Sequence, residues 1–255
     1  MKLISLNTWG GRAGKESLLE FFEHTKKDID IFCLQEIWSA PYEHLKGSSA
    51  GGKDIDHDDI LVYGKQEISK ILTNHDGYFH PHHLENYGLM TLINKKITIE
   101  KSGEVFVYRH KGFVPVGDIG NHARNIQYFT FSLNSKKITV INFHGLWNGK
   151  GKTDSEDRLQ QSEKIISFIK KLEGEIILCG DFNLLPSTES IKMFEDFDLI
   201  NLIKENNIIS TRTSFYKKEE KFADYVFVSK GIKVNEFKVL IDEISDHSPL
   251  LIDFE

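Results

Sequence analysis

Cysteine occurs only twice in 255 residues, at Cys33 and Cys179, and both lie inside apolar runs. Two are too few for a disulfide framework or a Cys-rich zinc site, so they read as buried free thiols. No stretch approaches the roughly 18 consecutive apolar residues that a membrane span needs, and no span is expected. The opening "MKLISLNTWGG" lacks the longer apolar run and small-residue cleavage site of a secretory signal. It reads as a strand, and a cytoplasmic location is expected. There is no repeat of roughly 20–50 residues and no low-complexity linker, which makes a single domain over 1–255 the expectation. Excess basic charge is missing too: 32 Lys plus Arg against 38 Asp plus Glu give a net charge of −6. Phosphate contacts dominate the affinity of proteins that grip a long duplex. This balance therefore favours small or single-stranded substrates, while leaving room for a local phosphate site.

With 40% hydrophobic residues and 27% charged, the chain has the material for a sizeable core. Strand-like runs recur at 2–9, 29–37, 88–93, 104–108, 125–133, 138–143, 175–180, 211–216, 224–229, 233–239 and 249–254. Helical periodicity appears over 15–27 (Leu18, Leu19, Phe22) and 157–172 (Leu159, Ile165, Ile166, Ile169, Leu172). A shorter helix is expected over 187–194, capped by Ser187 or Thr188. Runs such as "DIFCLQ", "EIILCG" and "ITVINF" are apolar at successive positions and look covered on both faces. "NIQYFTFSLN" alternates and looks half exposed. The pattern predicts two packed mixed sheets flanked by helices.

Six apolar segments deliver polar groups at or beside an end. The first ends in Asn7 ("LISLNTWG"), the second in Gln35-Glu36 ("DIFCLQEIW"), and the strand before the long helix in His144 ("VINFHGLW"). Asp181 and Asn183 follow "ILCG"; Asp224 lies in "FADYVFVS" and Asp246-His247 in "ISDHSPLL". If these ends converge, they make a cluster of carboxylates, carboxamides and imidazoles. Glu36 offers a carboxylate, Asn7 a carbonyl oxygen, and Asp181 or Asp246 further oxygens. Such donors suit Mg²⁺ or Mn²⁺ rather than zinc. The same groups could take a proton from water and stabilise phosphoryl oxygens. Asp181 and Asn183, two residues apart, would face the same side of a strand end.

Taken in order, "LNTWG", "LQEIW", "NFHGLW", "GDFN", "ADYVFVS" and "SDH" resemble the signatures of the endonuclease/exonuclease/phosphatase superfamily, across residues 3 to 252. The resemblance implies an α/β four-layer α/β/β/α sandwich of two mixed β-sheets flanked by helices, with the site at one edge of both sheets. It implies Glu36 as main metal ligand, helped by Asn7 and Asp246. Asp181 would activate or orient the attacking water, and Asn183 would position that water or the phosphate. His247, held by Asp224, would contact the scissile phosphate. His144 would stabilise developing charge or protonate the leaving oxygen.

Other signals are weaker. "DIDHDD" at 54–59 starts like a calcium loop, but the required Gly is Asp59 and the twelfth position is Lys65, so a solvated loop is expected. "HPHH" (His80, His82, His83) has no partner at regular metal-ligand spacing. The Asp-x-His, GDxxD and GNH elements of calcineurin-type phosphatases do not occur. Residues 109–124 carry Arg109, His110, Lys111, His122 and Arg124 around an apolar tip, and Arg124 is the best candidate for an additional phosphate contact. Trp147, Lys150 and Lys152 could frame the pocket. "HGLW" departs from the His-Leu-plus-serine pattern of tyrosyl-DNA phosphodiesterases, and the long apolar hairpin of secreted sphingomyelinases is missing.

The expected function is hydrolysis of a phosphodiester by in-line attack of water, with Mg²⁺ or Mn²⁺ as cofactor. Nucleic acid (DNA or RNA) ranks first as substrate. A small phosphorylated metabolite or phosphoinositide comes next, hydrolysed as a monoester or diester, and then phospholipid. A binding module that has lost turnover is the competing class, and it finds no support in a substituted catalytic position. A monomer is assumed.

Overall fold

The computed structural model describes residues 1–41, 49–50 and 53–255. From the N-terminus come β1 (Lys2–Asn7), α1 (Lys15–Thr25), β2 (Ile31–Trp38), the short strands β3 (Ser49–Ala50) and β4 (Lys53–Asp54), and α2 (Gly64–Ile71). Four antiparallel strands follow: β5 (His75–His83), β6 (Tyr87–Asn94), β7 (Ile99–Tyr108) and β8 (Arg124–Leu133). Then come β9 (Lys136–His144), α3 (Glu156–Ile169), β10 (Glu175–Asp181), α4 (Glu189–Asp196), β11 (Leu199–Asn201) and α5 (Leu202–Glu205). The chain closes with β12 (Asp224–Ser229), β13 (Val234–Val239) and β14 (Leu250–Phe254).

Two six-stranded sheets result, ordered β13-β14-β1-β2-β6-β5 and β11-β12-β10-β9-β8-β7. Both are mixed: β1–β2 and β9–β10 are parallel and the remaining pairs antiparallel. Alternate residues of the central strands face opposite layers. Leu3, Ile31 and Cys33 join Phe129, Val140, Ile177 and Val226 between the sheets. Ile4, Leu6, Phe32 and Leu34 instead pack under Leu18, Phe21 and Phe22 of α1 and Ile68 of α2. On the far side Ile165, Ile166 and Ile169 of α3 and Phe194 of α4 cover the second sheet. This is the four-layer sandwich that the resemblance implied, and it covers the doubly apolar strands on both faces. Both cysteines are free and buried.

A polar seam crosses the apolar layer between the sheets. Gln35 Nε2 donates to Asn142 Oδ1 at 2.7 Å, Asn142 Nδ2 donates to the Leu34 carbonyl at 3.1 Å, and Thr91 Oγ1 donates to Gln127 Oε1 at 2.6 Å. Buried amides left unpaired would be costly, so these bonds restrict how the sheets slide over one another.

Several expectations are corrected. Residues 211–216 form no strand; Arg212 makes one isolated bridge to His247 and the chain then turns. β5 and α2 went unread. β5 carries Gly77, Pro81 and four histidines, residues that do not signal a strand, but it lies at a sheet edge, where a missing N–H is tolerated. The shorter helix runs Glu189–Asp196 with Thr188 at its N-cap, yet the capping oxygens come from elsewhere. Asp154 accepts from Glu189 N (2.7 Å) and Ser190 N (3.0 Å). In "DIDHDD", Asp56, Asp58 and Asp59 are exposed, and Asp56 Oδ1 accepts from Asp58 N, an Asx turn; the Asp54 side chain lies outside the described residues.

Candidate active site

Register brings the polar strand ends together. Asp181 lies directly opposite His144 on β9 and opposite Asp224 on β12, which places three of the expected residues in one row across the second sheet. Asn7 ends β1 beside Gln35 of β2 in the first sheet. A register shift of β2 against β6 between Leu34 and Ile37 puts one extra residue into β2. Glu36 sits in that bulge with φ 60°, in the left-handed region. Such a conformation costs about 1–3 kcal/mol for a non-glycine residue, which makes it a marker for function.

Asp181 is the hub. Its Oδ2 accepts from Asn7 Nδ2 at 2.9 Å and its Oδ1 from the Asn183 backbone N–H at 2.8 Å. His144 Nε2 and His247 Nε2 lie 3.7 and 3.6 Å from Asp181 Oδ2. β10 stops at Asp181, so strand alternation does not carry Asn183 to the site. A left-handed φ of 55° turns it there, and its Nδ2 donates to the Gly145 carbonyl at 3.2 Å. Gly180 permits the turn: its φ is +141°, and an added Cβ would lie 1.9 Å from the Phe143 carbonyl oxygen.

Asn7 departs from expectation in orientation. Its Nδ2 donates to Glu36 Oε1 (3.1 Å) as well as to Asp181, while its carbonyl oxygen accepts from the Trp9 N–H (2.9 Å). That N–H can only donate, which fixes the amide with its nitrogen toward the carboxylates. Burial raises the pKa of Glu36, opposed by the Arg12 guanidinium and the Asn7 bond.

Asp224 and His247 form a tight pair, with His247 Nδ1 2.8 Å from both carboxylate oxygens. Burial acts on both partners by disfavouring charge, pushing Asp224 up to about 6 and His247 down to about 3. At neutral pH the pair is therefore carboxylate plus neutral imidazole, with Nδ1–H donated to Asp224. His144 is also held well below the ordinary imidazole range, first by burial and then by Arg124.

Residues 211–213 act as a splint rather than the expected strand. Thr211 Oγ1 donates to Asp224 Oδ2 (3.2 Å), Arg212 Nη1 donates to Asp246 Oδ2 (3.2 Å), and Thr213 Oγ1 donates to the Ser245 carbonyl (2.5 Å). Three successive residues thus hold three parts of the site. Ser245 Oγ in turn donates to the Asn7 carbonyl at 2.7 Å, tying the last loop to the first strand. No sequence signal near 211 marks these bonds, because their partners lie up to 34 positions away.

A cavity of about 330 Å³ opens over this row, lined by Glu36, Asp181, Asn183, Asp246, both site histidines and, among others, Arg124 and Trp147. Arg124 is buried; its Nη1 donates to His122 Nε2 (2.6 Å) and its Nη2 to the Gly120 carbonyl (3.1 Å). Its neighbours in the basic loop, Arg109, His110 and Lys111, are exposed and do not line the cavity. The "HPHH" histidines take an unexpected part: His82 and His83 stack on His122 at 4.9 and 4.8 Å. Burial and then Arg124 hold His82 and His122 well below the ordinary imidazole range. Sequence grouped His82 with His83 in "HPHH" but linked neither to His122.

The donor set fits a hard divalent cation. Among the described residues Asp246 Oδ1 is buried without a hydrogen-bond partner, and Glu36 has one side-chain donor, Asn7, for two carboxylate oxygens. Oxygen-rich sites of this kind suit magnesium or manganese. Asp181, Asp224 and His247 also place one ligand atom each within 4.8 Å of the others, a possible acidic/His metal site.

The profile of the Endonuclease/Exonuclease/phosphatase family matches residues 4–247. A 2',5'-phosphodiesterase 12 from Bos taurus is 25% identical over 179 residues, 65% of this chain and 27% of that protein. The chain therefore spans well under two thirds of that relative's length. Among solved structures, a mannosyl-6-phosphatase from Bacteroides thetaiotaomicron superimposes with a TM-score of 0.72 at 16% identity, covering 100% of this chain and 99% of that one. The human nocturnin catalytic domain with bound sulfate does so with a TM-score of 0.67 at 17% identity, covering 100% and 94%.

Proposed function

Because the chain belongs to the endonuclease/exonuclease/phosphatase family, we propose that it is a divalent-metal-dependent phosphoesterase that hydrolyses a phosphodiester, with nucleic acid as first-ranked substrate. The observation that carries this reading is the hub geometry of Asp181, a buried carboxylate held by Asn7 and the Asn183 amide and faced by two imidazoles.

In this reading Glu36 and Asp246 hold Mg²⁺ or Mn²⁺, and Asn7 braces Glu36 through its amide rather than offering its carbonyl. The bound cation supplies charge neutralisation at the phosphoryl oxygens. Asp181 orients the attacking water and accepts its proton. Asn183 positions that water or the phosphate. His247, its Nδ1–H held by Asp224, contacts the scissile phosphate from Nε2, which can donate there only once the substrate's negative charge draws a proton onto it. His144, neutral in the free protein, donates an N–H to developing negative charge or to the leaving oxygen. Arg124 contacts a substrate phosphate, and Trp147 borders the bound group.

A second reading, hydrolysis of a small phosphorylated metabolite, draws support from the size of the cavity, which lies at the small-ligand end of the usual range. Both readings are tested by hydrolysis of bis-p-nitrophenyl phosphate, p-nitrophenyl phosphate and a DNA/RNA panel with Mg²⁺, with EDTA and with Asp181→Asn. Metal-independent turnover, or an unimpaired Asp181→Asn, overturns the mechanism.

A further inference from the structure

Lys152 lies in the glycine-bearing loop after β9, and its side chain is nearly fully buried (3% exposed). An ammonium removed from water is costly unless a counter-charge meets it. Lys152 has none at close range. Its Nζ donates to the Phe222 carbonyl at 2.8 Å and lies 4.7 Å from the centre of the Tyr216 ring. Among the described residues no carboxylate comes within 4.0 Å of it. The cation placed beside it makes matters worse. Arg212 lies over the same ring, 4.2 Å from its centre; burial first and then its charge hold the lysine down to about 8, against the carboxylates of Asp181, Asp224 and Asp246, which act on it from beyond ion-pair distance. Arg212 is itself only partly satisfied. One nitrogen meets Asp246, while Nε is buried without a partner. All three side chains line the cavity that holds Asp181 and His247.

A structural lysine would be expected to reach solvent or a carboxylate. A lysine and an arginine held together around one tyrosine, facing a cavity, are placed instead for an anion that arrives with the ligand. The acid cluster and its histidines already account for one phosphoryl group in the reading above. We propose that Lys152, Arg212 and Tyr216 form a second anion subsite, which grips a phosphate group of the substrate other than the one cleaved. The preferred substrates are then phosphate esters bearing a second phosphoryl group, and Lys152 is a specificity-determining residue. The substrate class rests on the phosphoesterase reading; the subsite itself does not.

The test measures equilibrium binding of adenosine 5'-monophosphate and adenosine 3',5'-bisphosphate by calorimetry, in EDTA so that no turnover occurs. Wild-type protein should bind the bisphosphate at least tenfold more tightly. Lys152→Met should cut that ratio at least fivefold, and Lys152→Arg, which keeps the charge, should retain it. The ratio should also fall as salt is raised, because the preference is electrostatic. Equal affinities in the wild type, or an undiminished ratio in Lys152→Met, overturn the proposal. Equal loss for both ligands in Lys152→Met makes the lysine a structural prop and overturns it as well. If Lys152→Met does not fold, Tyr216→Leu, which removes the ring both cations share, decides by the same ratio. Failure of the phosphoesterase reading would show separately, as absence of hydrolysis by the wild type with Mg²⁺.

Discussion

Asn7 Nδ2 and Asp181 Oδ2 meet at 2.9 Å although 174 positions separate them, and this bond joins the two sheets at the edge where the polar strand ends collect. Asn7 also holds Glu36, so one amide spaces two acids that would otherwise repel. Asn7→Ala should lower kcat/KM about 10- to 100-fold, the worth of one or two hydrogen bonds to charged groups. The fold should survive, with a melting temperature within a few degrees of wild type by calorimetry.

Asp224→Asn tests the pairing with His247. The amide retains the shape but lets the imidazole settle in the wrong tautomer, which in a comparable acid–imidazole pair lowers kcat by about 10⁴. Steady-state kinetics should show kcat reduced at least 10³-fold with KM little changed.

Metal dependence should be visible without catalysis. Mg²⁺ or Mn²⁺ should raise the melting temperature, since a ligand bound to the native state alone stabilises it. Glu36→Gln should weaken metal binding at least tenfold by calorimetry. Unchanged affinity would remove Glu36 from the metal site.

Acid should destabilise the protein early. Burial lowers the pKa of His75, His80, His82, His122, His144 and His247 from the ordinary imidazole value of about 6.5. A group with a depressed folded pKa contributes stability that is present above its unfolded value and lost as pH falls below it. The loss therefore begins near pH 6.5 and for His247 extends toward about 3. Glu36 and Asp224 act in the opposite sense, their folded pKa values being raised, but two carboxylates face six imidazoles. The urea midpoint should fall between pH 7.5 and 5.5, by up to about 1 kcal/mol for each histidine that stays neutral. A flat profile would mean that these imidazoles are not held neutral by the fold.

Gly180→Ala probes how strand packing sets the site. The new methyl would collide with the Phe143 carbonyl, so β9 and β10 must separate beside His144 and Asp181. A stability loss of about 3 kcal/mol is expected, together with loss of activity. Retention of both would show that the strands can yield there.

The amino-acid sequence alone was enough to expect two packed sheets flanked by helices and to bring forward candidates for the site. Doubly apolar runs bounded by turn residues read as strands covered on both faces, and Asn7, His144, Asp181 and Asp224 stand at or beside the ends of apolar segments, so local pattern brought them forward as candidates. Tertiary structure decided what those residues do to one another. The bulge that aims Glu36, the orientation of the Asn7 amide, the splint at Thr211–Arg212–Thr213 and the histidine stack around His122 all depend on partners from distant segments. Lys152 makes the contrast plainest: in sequence it is one of two lysines, with Lys150, that could frame the pocket, and nothing there separates them. Folding buries Lys152 beside Arg212 with no carboxylate within 4.0 Å among the described residues, and that burial, which residue order does not encode locally, is what makes it a candidate binding determinant.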